Sequence, residues 1–383
     1  MLFFALLAQA EHRHDATDEA VMIETPVRSA GHLLRDQSAI LAGTVVACAY
    51  GRYPSLRARY GPAGQTESRQ HAVYHLRHLA DAIDTNSPAL FNDHIGWMKV
   101  VLEQRGVPGE ALNHHLVCMA EVLRDEMPSW VVEPATAMVD SAIALLPAMP
   151  TTTISFLDSG DRLAPLAREY VHKLLGGYRS AGGRLAFDAV ERGESVRDLY
   201  MHVLQPALQE VGRLWQINKI NVAQEHFCSA ATQVVMAQLL SRADTVVPCG
   251  YRVVVACISD ELHELGARMV ADFFDMAGWD TYFCGADTPH AGCIESVVDR
   301  DADVLAVSTT MGYHLHSVQE LIKSVRLDPR CANLHVMVGG YPFSVDPALW
   351  ETVGADGTAA DADSAVALAG EWTKDSATAP RSS

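Results

Sequence analysis

The segment Glu261-Leu262-His263-Glu264-Leu265-Gly266 sets an imidazole two residues after one carboxylate and three before a glycine. A carboxylate at that spacing can hold the proton of one ring nitrogen, which fixes the tautomer and leaves the other nitrogen for a metal. Upstream, Trp215 is followed after nine residues by Glu225 and His226. Ten residues along one straight helix put Trp215 and Glu225 on different faces, so they converge only if the chain turns between them. That turn is supplied: Asn218 can end one helix, and Asn221 with Gln224 three residues on is a capping-box-like start for the next.

The elements that must position these groups separate into blocks near residue 151. From 251 the chain alternates strand and helix: strands at 251–259, 281–285, 304–308 and 335–339, a weak one near Gly357, and helices at 264–276, 291–299, 314–325 and 363–372. Buried apolar strands with helical crossovers mean a parallel, doubly wound sheet. In such sheets ligands bind beyond the carboxyl ends of the strands, and His263 follows the first strand. No G-x-G-x-x-G is present, which disfavours a dinucleotide. Residues 164–175, 184–191, 195–217 and 222–242 carry apolar stripes that pack as a four-helix bundle. The first block, with helical spacing over 68–83 and 110–123, is mostly helical. The expected architecture is multidomain: a helical N-terminal domain (1–150), a four-helix-bundle cap (151–247), a Rossmann-like, flavodoxin-like α/β domain (248–373) and a disordered tail or linker (374–383).

Glu261-x-His263-x-x-Gly266 resembles the D/E-x-H-x-x-G motif of cobalamin-binding domains, in which the histidine replaces the cofactor's own benzimidazole beneath cobalt. The family's S-x-L position reads Ser308-Thr309-Thr310, with Thr310 in place of the usual Leu, and its G-G position reads Gly339-Gly340. The resemblance makes His263 the cobalt ligand, with Glu261 and Gly266 as its motif partners, and puts Ser308, Thr310, Gly339 and Gly340 beside the displaced nucleotide tail. The W-x9-E-H spacing resembles the cap of light-responsive cobalamin photoreceptors, which implies that Trp215 covers an adenosyl group and that Glu225 and His226 reach its sugar and base side. Adenosylcobalamin is then the expected form, with light breaking the cobalt–carbon bond. The light-responsive repressors carry a His after that Trp; this chain has Gln216, so a bis-histidine light state through that position is not expected.

The first block carries His71, His75 and His78 near one helical face, with Tyr74 beside them and Phe91, His94 and Trp97 following. A helical domain ahead of such a cap resembles the photocobilins, which implies biliverdin as a second, noncovalent chromophore; Cys48 and Cys118 are the thiols that could attach one. The resemblance implies a non-enzymatic sensor that self-associates and signals to a separate or fused effector. The alternative is a corrinoid methyl carrier of a methyltransferase system. A cobalamin mutase is a poorer rival, because such enzymes carry a long catalytic barrel for which this chain has no room.

Composition narrows the partners. A formal net charge of −18, with no block of Lys or Arg, argues against direct nucleic-acid binding. The apolar opening MLFFALLAQA has no basic flank and is too short to span a bilayer, and no later stretch is expected to reach membrane-span length. Eight cysteines without a C-x-x-C pair suit reduced thiols in a cytoplasmic protein.

Overall fold

The computed structural model describes residues 29–158, 160–244 and 246–376. The apolar opening and residues 377–383 lie outside them. Five helices build the first block: α1 (Ala30–Arg52), α2 (Pro54–Asp84), α3 (Pro88–Gln104), α4 (Gly109–Glu126) and α5 (Ser129–Leu145). Ser29 caps α1 by accepting from the His32 amide at 3.0 Å. Leu76, Leu79 and Ala80 of α2, Phe91 and Ile95 of α3, and Leu116, Met119 and Leu123 of α4 form the buried stripes.

One expectation is corrected here. Ser129–Ala148 is apolar and long enough to cross a membrane by length and composition, although Glu133, Pro134 and Asp140 punctuate it. It packs Val131, Ala135, Val139 and Ala142 into the N-terminal core.

The cap comprises α6 (Ala164–Leu175), α7 (Arg179–Glu191), α8 (196–216) and α9 (Val222–Leu240). Helix α7 begins five residues before the predicted 184, because Gly182 and Gly183 are packing positions rather than breakers. A Cβ on Gly182 would stand 3.1 Å from Leu174, and one on Gly183 would meet Phe187 at 3.4 Å and Val235 at 3.5 Å. Within α8 a single π turn, Tyr200–Leu204, precedes Pro206. Proline has no N–H to return to His202, so the ladder slips and the Gln205 amide bonds the Tyr200 carbonyl. The slip lies beside Tyr200, whose buried hydroxyl donates to the Met236 carbonyl and to Asp272 Oδ2, both at 2.8 Å. That pair of bonds ties α8 to α9 and to the first helix of the next block.

The third block is a five-stranded parallel sheet of order β2-β1-β3-β4-β5. The strands are β1 (Arg252–Cys257), β2 (Asp280–Gly285), β3 (Val304–Ser308), β4 (His335–Gly339) and β5 (Gly357–Thr358). Helices α10 (Leu265–Met276), α11 (His290–Arg300), α12 (Leu315–Leu327), the short α13 (Tyr341–Val345) and α14 (Leu349–Val353), and α15 (Ala362–Ser376) complete it. This is the flavodoxin-like order, with its switch point between β1 and β3. Cys257 pairs with Ser308, and Ser308 with Gly339, so the three motif-bearing strand ends lie side by side. Helix α15 runs to Ser376, through the start of the predicted tail.

The first and third blocks share one hydrophobic core, in which Leu76, Phe91 and Met119 are continuous with Val254, Leu305 and Val338. Polar contacts close the same seam: Ser87 Oγ to Asp346 at 2.6 Å, Tyr341 hydroxyl to Asp93 at 2.9 Å, and His316 Nδ1 to Asp81 at 3.2 Å.

Candidate functional site

Glu261 is fully buried at the centre of the strand-end crevice. The residue before it, Asp260, adopts φ 66°, which turns the chain sharply off β1. One carboxylate oxygen accepts from the His263 amide at 3.0 Å and from its Nδ1 at 2.5 Å. The other accepts from the amides of Thr310 at 2.7 Å and Met311 at 3.1 Å and from the Thr309 hydroxyl at 3.4 Å. His314 Nδ1 stands 3.4 Å from that same oxygen. Burial alone would raise the Glu261 pKa, but the His263 and His314 imidazoles hold it well below the usual carboxylate range. The His263 ring is lowered by burial and raised more strongly by Glu261, with a further contribution from Glu225 of the cap; the net shift is upward.

With Nδ1 committed to Glu261, Nε2 is the nitrogen a metal would use, and the ring is 45% accessible. A Cβ on Gly266 would meet nothing within 4 Å, and one on Gly339 would find its nearest neighbour at 4.0 Å. An oriented imidazole beside open space along two glycines suits a metal on a large planar ligand with a tail. Gly340, predicted beside that tail, also has a structural part. At φ 108° its Cβ would lie 1.9 Å from the Thr309 carbonyl oxygen, so it lets the β4 end close on the β3 loop. Ser308 and Thr310 are half-buried at that crevice, and the Thr310 backbone serves Glu261.

The predicted turn between Trp215 and Glu225 forms. Asn218 has φ 58°, and Asn221 and Gln224 make both bonds of the capping box, at 3.0 and 3.1 Å. Glu225 is half-buried, accepts from Ser229 at 2.9 Å and lies 3.3 Å from His226 Nε2. His226 is exposed. Trp215 is half-buried, its ring stacked on Trp97 with centroids 6.1 Å apart. The Arg105 guanidinium lies 5.0 Å from the Trp215 ring centre. It also donates to the carbonyls of Gln216 at 2.9 Å and Trp215 at 3.2 Å, satisfying the end of α8. Gln216 is buried and donates to the Trp97 carbonyl at 3.3 Å.

The histidines of the first block converge with one that the sequence did not single out. His75 Nδ1 lies 2.8 Å from His94 Nε2, His78 stacks on His94 at 3.7 Å, and His115 meets His75 edge-on at 5.4 Å. Burial pushes all of them down: His75 and His94 well below the usual range, His78 to about 3, and His71 and His115 to about 4. His115 Nε2 is buried with no hydrogen-bond partner among the described residues. The cluster reaches the strand-end crevice through Gly312, whose Cβ would stand 3.2 Å from His78 Nδ1, and through Tyr313, whose ring meets His78 at 5.0 Å. Cys48 and Cys118 lie together with Glu121. Burial and Cys48 push the Cys118 thiol up to about 12, making it a poor nucleophile. Arg52 already pairs with Glu121 at 2.6 Å.

Thr309, Met311, His314, Arg105 and His115 were thus missed from sequence, and Trp97, read with the first-block histidines, instead meets Trp215 of the cap. Only the run Gly312-Tyr313-His314-Leu315-His316, rich in rings just past a strand end, offered a signal.

An α/β domain with an oriented histidine at its switch point, under a four-helix cap, defines a cobalamin-binding protein. Comparison with known proteins agrees: residues 251–367 and 166–240 each match a family described as a B12 binding domain. Among curated relatives, dimethylamine corrinoid protein 3 of Methanosarcina acetivorans is 28% identical over 173 residues, 44% of this chain and 78% of that protein. The HTH-type transcriptional repressor CarA of Myxococcus xanthus is 31% identical over 170 residues, 42% of this chain and 56% of the repressor. Among solved structures, the monomethylamine corrinoid protein of Methanosarcina barkeri aligns with a TM-score of 0.47 at 17% identity, over 55% of this chain and 99% of that one.

Proposed function

We propose that the chain is a cytoplasmic, non-enzymatic light sensor that holds adenosylcobalamin base-off with His263 as lower ligand, and that it signals by a change in self-association to a separate or fused effector. When bound, the cofactor supplies a cobalt–carbon bond that light breaks. The chain's own residues do the rest. Glu261 holds the His263 tautomer; Gly266, Ser308, Thr310 and Gly339 border the room for the tail. Trp215, Glu225 and His226 face the upper ligand from the cap, an aromatic for the adenine and polar groups for the ribose.

The observation that carries this reading is the position of Trp215 at the joint of cap and N-terminal domain, against Trp97 and Arg105. Any change above the corrin that moves Trp215 must disturb that domain. Biliverdin in the first block is supported by the buried neutral imidazoles and the unpartnered His115 Nε2. His78 and His94 fill each other's faces, so a tetrapyrrole lies beside that pair or parts it.

The corrinoid methyl carrier is the second reading, favoured by relatives named as dimethylamine corrinoid proteins whose length this chain covers by 78 to 87%. Reconstitution in darkness, followed by illumination with absorption and mass recorded before and after, separates the two. Photolysis with a change in mass supports the sensor. A light-inert mass, together with transfer of a cobalamin-bound methyl group to or from a methyltransferase, supports the carrier.

A further inference from the structure

Arg105 belongs to the N-terminal domain, three positions before the Pro108-Gly109 break that starts α4, yet three of its contacts are with the cap. A helix C-terminus leaves carbonyls without intrahelical donors; Arg105 donates to that of Gln216 and joins the Asn218 amide on that of Trp215. The same guanidinium lies over the Trp215 ring. Its own helix anchors it, through a bond to the Val101 carbonyl at 3.1 Å. Trp97, two turns earlier on α3, stacks on Trp215, and its carbonyl accepts from Gln216. Backbone and ring of Trp215 are therefore both held by groups from outside the cap.

We propose that Arg105, backed by Trp97, is a positioning residue for Trp215. By fixing where the indole stands, it sets the preference for a bulky adenosyl upper ligand over a methyl group. The inference rests on the assignment of Trp215 to the upper face. Lysine could still donate to the two carbonyls, but it lacks the planar face that stacks on indole. The contacts at Trp215 are split accordingly: Arg105→Lys removes the stacking, and Arg105→Ala removes stacking and capping together.

The test uses the full chain and measures dissociation constants in darkness for adenosylcobalamin and methylcobalamin, for the parent and for Arg105→Ala, Arg105→Lys and Trp215→Ala. A general loss of folding weakens both cobalamins alike and leaves their ratio unchanged, so the ratio is the readout. A cation over an indole at an exposed position predicts a roughly two- to fivefold fall in adenosyl preference for Arg105→Ala and a smaller fall for Arg105→Lys. Near-ultraviolet circular dichroism of the ligand-free chain should change in both variants, because the Trp97–Trp215 pair reorients. A ratio that falls for Trp215→Ala but not for Arg105→Ala overturns this inference and spares the cap assignment. A ratio unmoved by Trp215→Ala overturns both.

Discussion

Acid should unfold this chain through its first block. His71, His75, His78, His94 and His115 all have pKa values lowered in the folded state, from an ordinary 6.5. A base lowered on folding costs nothing well above its unfolded pKa, and stability is lost as pH falls below that value until the folded pKa is reached. One unit below 6.5, each such histidine costs about 1.4 kcal/mol, so five together cost about 7 kcal/mol near pH 5.5. Asp272, raised by burial to about 6, runs the other way and returns about 0.8 kcal/mol over the same interval. His263 also opposes the trend, one group against five. Since domains are typically stable by about 5–15 kcal/mol, the ligand-free chain should be marginal near pH 5.5. Urea unfolding followed by far-ultraviolet circular dichroism at pH 7.5, 6.5 and 5.5 measures this. His115→Leu, which removes a buried ring nitrogen without a hydrogen-bond partner, should flatten the slope by about 1.4 kcal/mol per pH unit and cost little at pH 7.5. Equal stability at pH 7.5 and 5.5 would refute the claim that these imidazoles are buried and neutral.

Further outcomes are expected at the cobalamin site and the cap. Glu261→Ala leaves the Thr310 and Met311 amides and the His263 ring without their acceptor, and should weaken cobalamin binding roughly 10- to 100-fold; unchanged affinity and ligation spectrum would remove Glu261 from the site. His263→Ala should abolish histidine ligation of cobalt, and an unaltered absorption spectrum would contradict it. Gly340→Ala forces a Cβ onto the Thr309 carbonyl at positive φ and should cost at least about 2 kcal/mol in chemical denaturation; a cost under about 0.5 kcal/mol would show that the β4 end relaxes freely. Asp272→Asn keeps an acceptor for Tyr200 while removing a buried charge. The parent's loss of stability sets in as pH rises from about 4 to 6, so the variant should gain about 1–2 kcal/mol at pH 8 and nothing near pH 4. A gain that does not depend on pH would point to packing instead.

Much of this molecule was legible locally. Strands β3 and β4 fall on their predicted residues, the Asn221–Gln224 box forms both its bonds, and the His263–Glu261 pair follows from two-residue spacing. Each depends on side-chain period or on partners a few residues apart, which the order of residues states directly. Helix α7 and the apolar helix at 129–148 were harder, since a glycine reads as a breaker until a neighbouring helix is seen to need its missing side chain, and scattered charges mask an apolar run.

What the sequence determined by itself is the chemistry: an imidazole oriented for a metal at a strand end, glycines at the neighbouring ends, and a turn between Trp215 and Glu225. Only the tertiary structure decided who holds these groups. Glu261 is clasped by a loop about fifty residues away, and Trp215 by an arginine 110 residues earlier. Such pairings are chosen by the packing of segments far apart in the chain, and no periodicity along it encodes them.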